Sequence, residues 1–269
     1  MNNPLGKRAA DIFFRIRKQK PLIHHITNFV VMNDTANLTL HAGALPVMAH
    51  AREEVKEMTR VSGALILNPG TLDKEQVEAM NLAGREANVR RVPIILDPVG
   101  AGATRFRTKT NLDFLRKLKI AILRGNSGEI GALSGAGGAV KGVESVEGIA
   151  DPERVARALA RAYKTVVVIT GKRDIITDGR ALYRTDNGHA LLAAITGSGC
   201  MATTMVGIFA AVEKDYALAA AAALAVYGVA AERAAIGARG PASFKVALLD
   251  AVYNLTRAQI INGVRITKK

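Results

Sequence analysis

The sequence has little of what marks several protein classes. One cysteine in 269 residues excludes a disulfide framework and a CxxC zinc or redox motif, so a reducing, cytoplasmic compartment is the expectation. Tryptophan is absent and aromatic residues make up only 4%, which is few for a protein that stacks on single-stranded bases. The five histidines show no metal-ligand spacing.

Long hydrophobic runs are also scarce. The basic N-terminus is followed by no uninterrupted apolar core, which argues against a signal peptide. Two stretches lack charge, 187–212 and 216–231. Glycine and polar residues interrupt the first, and the second is shorter than the ~20 residues that span a bilayer. Both stretches therefore predict buried helices of a soluble protein without membrane contact.

Positive charge, in contrast, is abundant, with a formal net charge of +14. Residues 1–20 carry six basic groups and one acid, and residues 256–269 carry four basic groups and no acid. Residues 85–124 contain ten basic and three acidic groups. Solvated termini plus one basic face explain this pattern most simply. A basic face that holds a polyphosphate is the next alternative, and nucleic-acid binding is the third.

Short apolar runs alternate with helical patterns along the chain. Five runs have strand length: Ala44–Met48, Ala64–Leu67, Pro93–Leu96, Ile120–Leu123 and Thr165–Thr170. Strands that alternate with helices predict an α/β fold with a largely parallel central sheet and helices on both faces. Because no linker or repeat divides the chain, we expect one domain over residues 1–269.

Helix boundaries have recognisable signals. Asn33 or Asp34 is a candidate cap for a helix that stops near Gly43, and Asp73 with Gln76 resembles a capping box. A further helix is predicted over 151–162, and almost everything after residue 198 reads as helical, with alanine dominating 215–236.

Unusual loops follow four of the apolar runs, where ligands bind in parallel α/β sheets. These loops are 68–71, 97–102, 124–129 and 170–172, and they are rich in Gly, Asn, Asp, Arg and Thr. Together they indicate a phosphate- or nucleotide-sized site, although each alone is compatible with a turn. Asp97 and Glu129 are candidates to hold Mg²⁺ through water beside a triphosphate. Alternatively, Glu129 is the capping-box partner of Asn126, and both interpretations can hold together.

The segment Thr196-Gly197-Ser198-Gly199-Cys200 is the most specific local signal. Two glycines before a helix let backbone N–H groups approach an anion, although a plain glycine turn is the alternative. The segment matches neither a P-loop nor a dinucleotide-binding fingerprint. Cys200 would lie in the first helical turn, where a thiol pKa is typically lowered; the alternative is a small buried hydrophobe. Ser198 has no evident His/Asp partner, which disfavours a hydrolase triad.

Taken together, these motifs resemble the hydroxyethylthiazole kinases, members of the ribokinase-like kinases, from about residue 5 to 265. The matching segments are 22–28, 43–48, 96–100, 126–129, 168–171 and 196–200. Most ribokinase-like relatives carry Asp where this chain has Cys200, and the cysteine marks the thiazole kinases.

The resemblance implies a ribokinase-like fold and a function. The activity would be ATP- and Mg²⁺-dependent phosphorylation of the primary alcohol of 4-methyl-5-(2-hydroxyethyl)thiazole, a salvage step toward thiamine. The implied roles are thiazole contact by Met48 and Gly197 with Asn28 nearby, ATP binding by Arg124 and Thr170, Mg²⁺ organisation by Asp97 and Glu129, and Cys200 facing the substrate hydroxyl. The family is typically a homotrimer with sites between subunits.

Two alternatives remain at this point. One is another ribokinase-like enzyme, a hydroxymethylpyrimidine kinase or an ATP-dependent hydrate dehydratase, against which the cysteine after Gly-Ser-Gly argues. The other is a basic nucleic-acid-binding protein, motivated by the net charge of +14. Sparse aromatic residues and the charge at the termini argue against it.

Overall fold

A mixed sheet forms the centre of the computed structural model, which describes residues 3–136 and 150–269. Its order is β2-β1-β3-β4-β5-β6-β7-β8-β9. The strands are β1 (Leu22–Ile26), β2 (Leu45–Val47), β3 (Ala64–Leu67), β4 (Ile94–Leu96), β5 (Ile122–Asn126), β6 (Val166–Thr170), β7 (Asp174–Thr177), β8 (Leu182–Thr185) and β9 (Ile266–Lys268). The pairings from β2 to β6 are parallel, and those from β6 to β9 are antiparallel.

Helices cover both faces of this sheet. They are α1 (Pro4–Gln19), α2 (Met32–Ala42), α3 (Val55–Arg60), α4 (Lys74–Arg90), α5 (Arg105–Lys117), α6 (Ser127–Ala136), α7 (Pro152–Tyr163), α8 (Ser198–Val212), α9 (Tyr216–Ala235), α10 (Pro241–Asn254) and α11 (Arg257–Gly263). Successive strand residues point to opposite faces. Ile66 accordingly packs in the apolar cluster of α1, α8 and α9, whereas Leu65 and Leu67 pack in that of α4, α5 and α7.

The apolar runs correspond to strands. The run Ala64–Leu67 coincides with β3, and 165–170 matches β6 within one residue. β5 begins and ends later than the predicted 120–123, because Arg124 still pairs in parallel with Val168. β1 was not predicted, since His24 and His25 interrupt its apolar pattern.

Most predicted helix signals are confirmed. The Asp73 side chain caps α4 by accepting the backbone N–H of Gln76 at 2.7 Å, but the Gln76 amide donates to the Thr27 carbonyl and does not complete the predicted capping box. Gly43 ends α2 in the left-handed region with φ 95°. The cap predicted at Asn33 or Asp34 is wrong, because α2 begins at Met32 with Val31 at the cap position. Asp34 lies in the first turn instead, where it pairs with a lysine of α10.

The charge-free stretch 216–231 forms a buried helix, as predicted, but 187–212 does so only from residue 198 onward, because residues 190–194 form a short 3-10 helix without buried side chains. α8 and α9 pack against each other within one apolar cluster. Within the described part of the chain, α9 is the one helix long and apolar enough to cross a membrane by length and composition. However, 89% of that helix window is buried inside the protein, which is the environment of a core helix.

Candidate active site

The carboxyl ends of the parallel strands meet at one edge of the sheet. Asn28 follows β1, Asn68 follows β3, Asp97 follows β4, Arg124 lies in β5 and Thr170 ends β6. The N-terminus of α8, which begins with Ser198-Gly199-Cys200, contacts several of these side chains. The strand-end loops therefore converge, as parallel pairing requires.

Cys200 receives two amide donors. The Asn68 Nδ2 group donates to Cys200 Sγ at 3.2 Å, and the Asn28 Nδ2 group does so at 3.6 Å. The Asn68 Oδ1 atom is occupied, because it accepts from Asn28 Nδ2 at 2.9 Å and from the Gly70 N–H at 3.1 Å. These two bonds fix the Asn68 amide so that its NH₂ group faces the sulfur.

The thiol of Cys200 is a weaker acid than the sequence suggested. Burial raises the pKa of this thiol to about 11, and the negative charge of Asp97 raises it further, while the two asparagine donors and Arg124 lower it. The predicted lowering of the pKa is therefore wrong. Desolvation beside a carboxylate outweighs the positive end of the helix.

The Asp97 carboxylate is buried, and its two neighbours are the Thr203 hydroxyl and the Arg124 guanidinium. Its Oδ2 atom accepts the Thr203 hydroxyl at 2.7 Å and lies 3.7 Å from Arg124 Nη1. Burial raises the pKa of Asp97 to about 6, Arg124 lowers it, and the charge of Glu129 raises it. Thr203 follows Cys200 by three residues in α8, so one helix face reaches both the carboxylate and the thiol site.

Arg124 connects the strand ends to the glycine loop. Its Nη2 group donates to Thr170 Oγ1 at 2.6 Å, and the residue is only 8% exposed. A Cβ atom at Gly199 would lie 3.0 Å from Arg124 Nη1, so glycine lets α8 approach the guanidinium closely. The buried Arg124 Nε has no hydrogen-bond partner within residues 3–136 and 150–269.

Glu129 joins two strand-end loops. Its Oε2 atom accepts the Asn126 N–H at 3.0 Å, and Asn126 Oδ1 accepts the Glu129 N–H at 2.9 Å, so the capping-box alternative is confirmed. The Glu129 Oε1 atom accepts from the Gly100 N–H at 3.0 Å, which ties this loop to the one after Asp97.

The two carboxylates suit a partly hydrated magnesium ion. Asp97 and Glu129 lie close enough for the charge of one to raise the pKa of the other. No group of three or more His, Cys, Asp or Glu that could hold a metal occurs in the described ranges. Carboxylate oxygens are ligands that Mg²⁺ prefers, and it retains water or phosphate oxygens at its other positions. The donor set therefore fits Mg²⁺ held beside a polyphosphate.

The structure does not bring together all of the residues that were expected to contact the thiazole. Gly197 caps α8 with φ 86°, and a Cβ there would lie 2.9 Å from Val31 Cγ1, so glycine is required by both conformation and space. Met48 follows the edge strand β2 and is half-buried. Its carbonyl accepts from His50 Nδ1, and it takes no part in the hydrogen bonds of the described residues around Cys200.

The sequence did not reveal the roles of three residues that shape this site. Asn68 and Thr203 are described above, and Arg107 of α5 is the third. Its guanidinium donates to the carbonyls of Pro69, Val99 and Gly70 at 3.3, 3.4 and 2.8 Å, which ties the loop after β3 to the loop after β4. The spacing of three from Cys200 could have indicated Thr203, but no local signal marks Arg107.

Comparisons with known proteins give one consistent result. A model of the hydroxyethylthiazole kinase family matches residues 13–258. A hydroxyethylthiazole kinase of Roseiflexus sp. (strain RS-1) is 62% identical over 266 residues, which cover 99% of this chain and 98% of that protein. The Desulforudis audaxviator protein of the same name is 62% identical over 264 residues, which cover 98% of this chain and 97% of its own.

Solved structures agree with this. The hydroxyethylthiazole kinase of Pyrococcus horikoshii OT3 superimposes with a TM-score of 0.90 at 41% identity, covering 98% of this chain and 99% of its own. A ribokinase-like superfamily protein of Enterococcus faecalis V583 gives a TM-score of 0.63 at 13% identity, covering 90% of this chain and 93% of its own. The latter likeness concerns the fold alone, and it confirms the predicted ribokinase-like architecture.

Proposed function

This chain belongs to the hydroxyethylthiazole kinase family, and on that premise we propose that it phosphorylates the primary alcohol of 4-methyl-5-(2-hydroxyethyl)thiazole. ATP is the phosphate donor, and the reaction is a salvage step toward thiamine. The 62% identity over nearly the whole chain carries this proposal. The convergence of Cys200, Asp97 and Arg124 at one sheet edge supplies groups for phosphoryl transfer.

Arg124 and Thr170 bind ATP on the donor side. The guanidinium is already oriented by its bond to Thr170 and sits next to the N-terminus of α8. The backbone N–H groups of that helix end add positive potential where the transferring phosphoryl group lies. Charge stabilisation of this kind is the main demand of phosphoryl transfer.

Asp97 and Glu129 hold Mg²⁺ in this proposal, together with water and phosphate oxygens. The ion supplies positive charge that reduces repulsion between the phosphates and the incoming oxygen. Asp97 suits this role because Arg124 and Thr203 favour its charged form despite complete burial. Glu129 suits it because its backbone hydrogen bonds hold the carboxylate in one position.

Cys200 faces the substrate alcohol, and Met48, Gly197 and Asn28 surround the thiazole. The alcohol gives its proton to the Cys200 sulfur in its thiolate form, the alcohol oxygen bonds to the γ-phosphorus, and the bond from that phosphorus to ADP breaks. In a loose transition state this proton leaves late, so a modest base suffices. The raised pKa keeps the thiol protonated in the free protein, so the thiol must first release its own proton to water. A cation that balances the charge of Asp97 would favour this release, because that charge is one cause of the raised pKa.

The chain acts in the cytoplasm as one kinase domain over residues 1–269, without nucleic-acid or membrane partners, and assembles as a homotrimer with sites between subunits. Exposed apolar side chains, two of them next to the site and one on the edge strand β2, support the assembly. Phe29 and Val30 directly follow Asn28 and are 56% and 64% exposed, and Leu45 of the edge strand is 45% exposed. Apolar surface of this kind marks subunit contacts. Sedimentation equilibrium tests it: a trimeric mass is expected, and a monomeric mass contradicts it.

An acceptor comparison tests the function. The purified protein is incubated with ATP and either hydroxyethylthiazole or hydroxymethylpyrimidine, with Mg²⁺ or with EDTA, and ADP and phosphate esters are quantified. We expect the thiazole phosphate to form in equal amount to ADP and only with the divalent ion. Preferential phosphorylation of the pyrimidine, or ADP release without ester, would overturn the proposal.

A further inference from the structure

A second basic site lies at the opposite edge of the sheet. An open cleft of about 1010 Å³ is formed where β4, β5 and β6 begin. Its floor is apolar, because the residues that lead into these strands line it. Six cationic residues surround that floor: Arg91, Lys119, Arg157, Arg161, Lys164 and Arg180. β5 spans five residues, so roughly 16 Å separates this cleft from the kinase site.

The cations of this cleft are not neutralised by carboxylates. Arg157 and Arg161 donate to backbone carbonyls of the turn between β7 and β8. Asp178 is the one acidic residue of the cleft, and its Oδ1 atom accepts two backbone N–H groups of the same turn. Throughout the described ranges, the side chains of Lys119 and Arg180 make neither a salt bridge nor a hydrogen bond.

Helix ends explain only part of this charge. α4, α5 and α7 terminate next to the cleft, with Arg91 and Lys164 as the C-cap residues of α4 and α7. Each helix C-terminus carries roughly half a negative charge, so three of them balance roughly 1.5 positive charges. The cleft side chains carry five net positive charges. More than three positive charges therefore remain without a structural counterpart.

We propose that this cleft binds a small organic anion with a ring and at least two phosphates. Arg and Lys side chains are the usual partners of phosphate oxygens. The apolar floor and the half-buried ring of Tyr216 on its wall fit a flat organic group. The volume is that of a single small-molecule pocket, whereas a nucleic-acid strand requires an extended track with several aromatic platforms. The proposed site also gives a role to Arg91 and Lys119, two basic residues of segment 85–124 that the kinase reaction does not use.

Direct titration tests the site. Uridine diphosphate and pyrophosphate are titrated calorimetrically, in metal-free buffer, into an Arg124→Ala variant whose kinase site lacks its phosphate-binding cation. The same titrations use that variant with Lys119→Glu and Arg180→Glu added. Both added positions are exposed, and their side chains make no hydrogen bond or salt bridge in the described ranges. We therefore expect the fold to be kept, with at most a small fall in melting temperature from negative charge placed near helix C-termini. The matched control adds Lys56→Glu and Lys214→Glu, which make the same charge change on exposed surface elsewhere.

We expect one site per chain in Arg124→Ala, with uridine diphosphate bound more tightly than pyrophosphate. The Lys119/Arg180 reversal should weaken binding at least about tenfold, and the Lys56/Lys214 control should stay within about twofold, since each lost phosphate contact is charge-assisted. Absence of binding in Arg124→Ala, equal affinities in the two reversed variants, or no preference for the ring-bearing ligand would overturn the proposal. A second control introduces Lys119→Glu and Arg180→Glu into the otherwise native chain and measures thiazole kinase activity. We expect this activity to be unchanged, so a failure of the cleft proposal can be told apart from a failure of the kinase proposal.

Discussion

The hydrogen bonds and charges around Cys200 make its acidity a sharp test of the site geometry. Asn68→Ala removes the donor that lies 3.2 Å from the sulfur, and Asp97→Asn removes the negative charge that opposes the thiolate. The two substitutions should therefore move the pKa of Cys200 in opposite directions. Asn68→Ala should raise this pKa, and Asp97→Asn should lower it.

The magnitudes follow from the contacts. A hydrogen bond to a charged group contributes about 1.5–3 kcal/mol, and one pKa unit corresponds to 1.36 kcal/mol. Sulfur is a weak acceptor, so the lower end applies and Asn68→Ala should raise the pKa by about one unit. Removal of a neighbouring like charge should lower it by roughly one unit in Asp97→Asn. The wild-type value is about 11, well above the usual thiol.

Alkylation kinetics measure this directly, because Cys200 is the only cysteine in the sequence. Second-order rates with iodoacetamide are recorded from pH 7 to 10.5 in EDTA, without nucleotide. The wild-type rate should still rise about tenfold per unit near pH 9.5, since only the thiolate reacts. Asn254→Ala, whose exposed amide bonds only within α10, is the matched control and should leave the profile unchanged. A wild-type plateau below pH 9, or a lowered pKa in Asn68→Ala, would refute the described arrangement.

Three further predictions concern activity and stability. Cys200→Asp should keep substantial kinase turnover, measured as ADP release, because a carboxylate can accept the alcohol proton. Cys200→Ala and Cys200→Ser should lose about 10²–10⁴-fold in the same assay. Full activity in Cys200→Ala would show that the thiol only fills space. Asp97→Ala or Glu129→Ala should raise the Mg²⁺ concentration needed for the half-maximal rate and should lower turnover by orders of magnitude. The circular dichroism spectrum of both variants should stay unchanged. Wild-type metal dependence in both variants would show that these residues do not belong to the metal site. Gly228→Ala should lower the free energy of unfolding in urea by about 1–3 kcal/mol, because its Cβ would lie 2.6 Å from a backbone carbonyl carbon. In the control Gly237→Ala the new Cβ meets open space, so the free energy of unfolding should change by less than about 1 kcal/mol. Equal stabilities of the two variants would contradict this packing.

The central parallel strands β3 to β6 were predictable because they are buried on both faces. A continuous apolar run such as Ala64–Leu67 has no other plausible environment in a soluble α/β protein. β1 escaped prediction because His24 and His25 are polar yet buried, stabilised by partners such as Thr59 and Thr39 that lie far along the chain. Strand β9 was missed for a related reason, since it pairs with β8 across some eighty residues.

The candidate site also has features that were predictable from the sequence and features that were not. Parallel strands bring their carboxyl ends to one edge, so position after a strand was enough to predict that the segments with Asp97, Arg124 and Thr170 meet. The roles expected of these three residues rest on the resemblance to the family. The acidity of Cys200 was predicted in the wrong direction because its surroundings come from distant segments. Asp97 lies about a hundred residues earlier, and the amide orientation of Asn68 depends on Asn28 of the loop after β1 as well as on Gly70 of its own loop.

The stereochemical course at phosphorus tests the proposed reaction most directly. The enzyme is given hydroxyethylthiazole and ATP made chiral at the γ-thiophosphate, and the configuration of the thiazole thiophosphate is determined. Direct transfer, with Cys200 only accepting the alcohol proton, predicts formation of this ester with inversion at phosphorus. Retention would indicate a phosphocysteine intermediate, and the absence of any thiazole ester would contradict the kinase assignment itself.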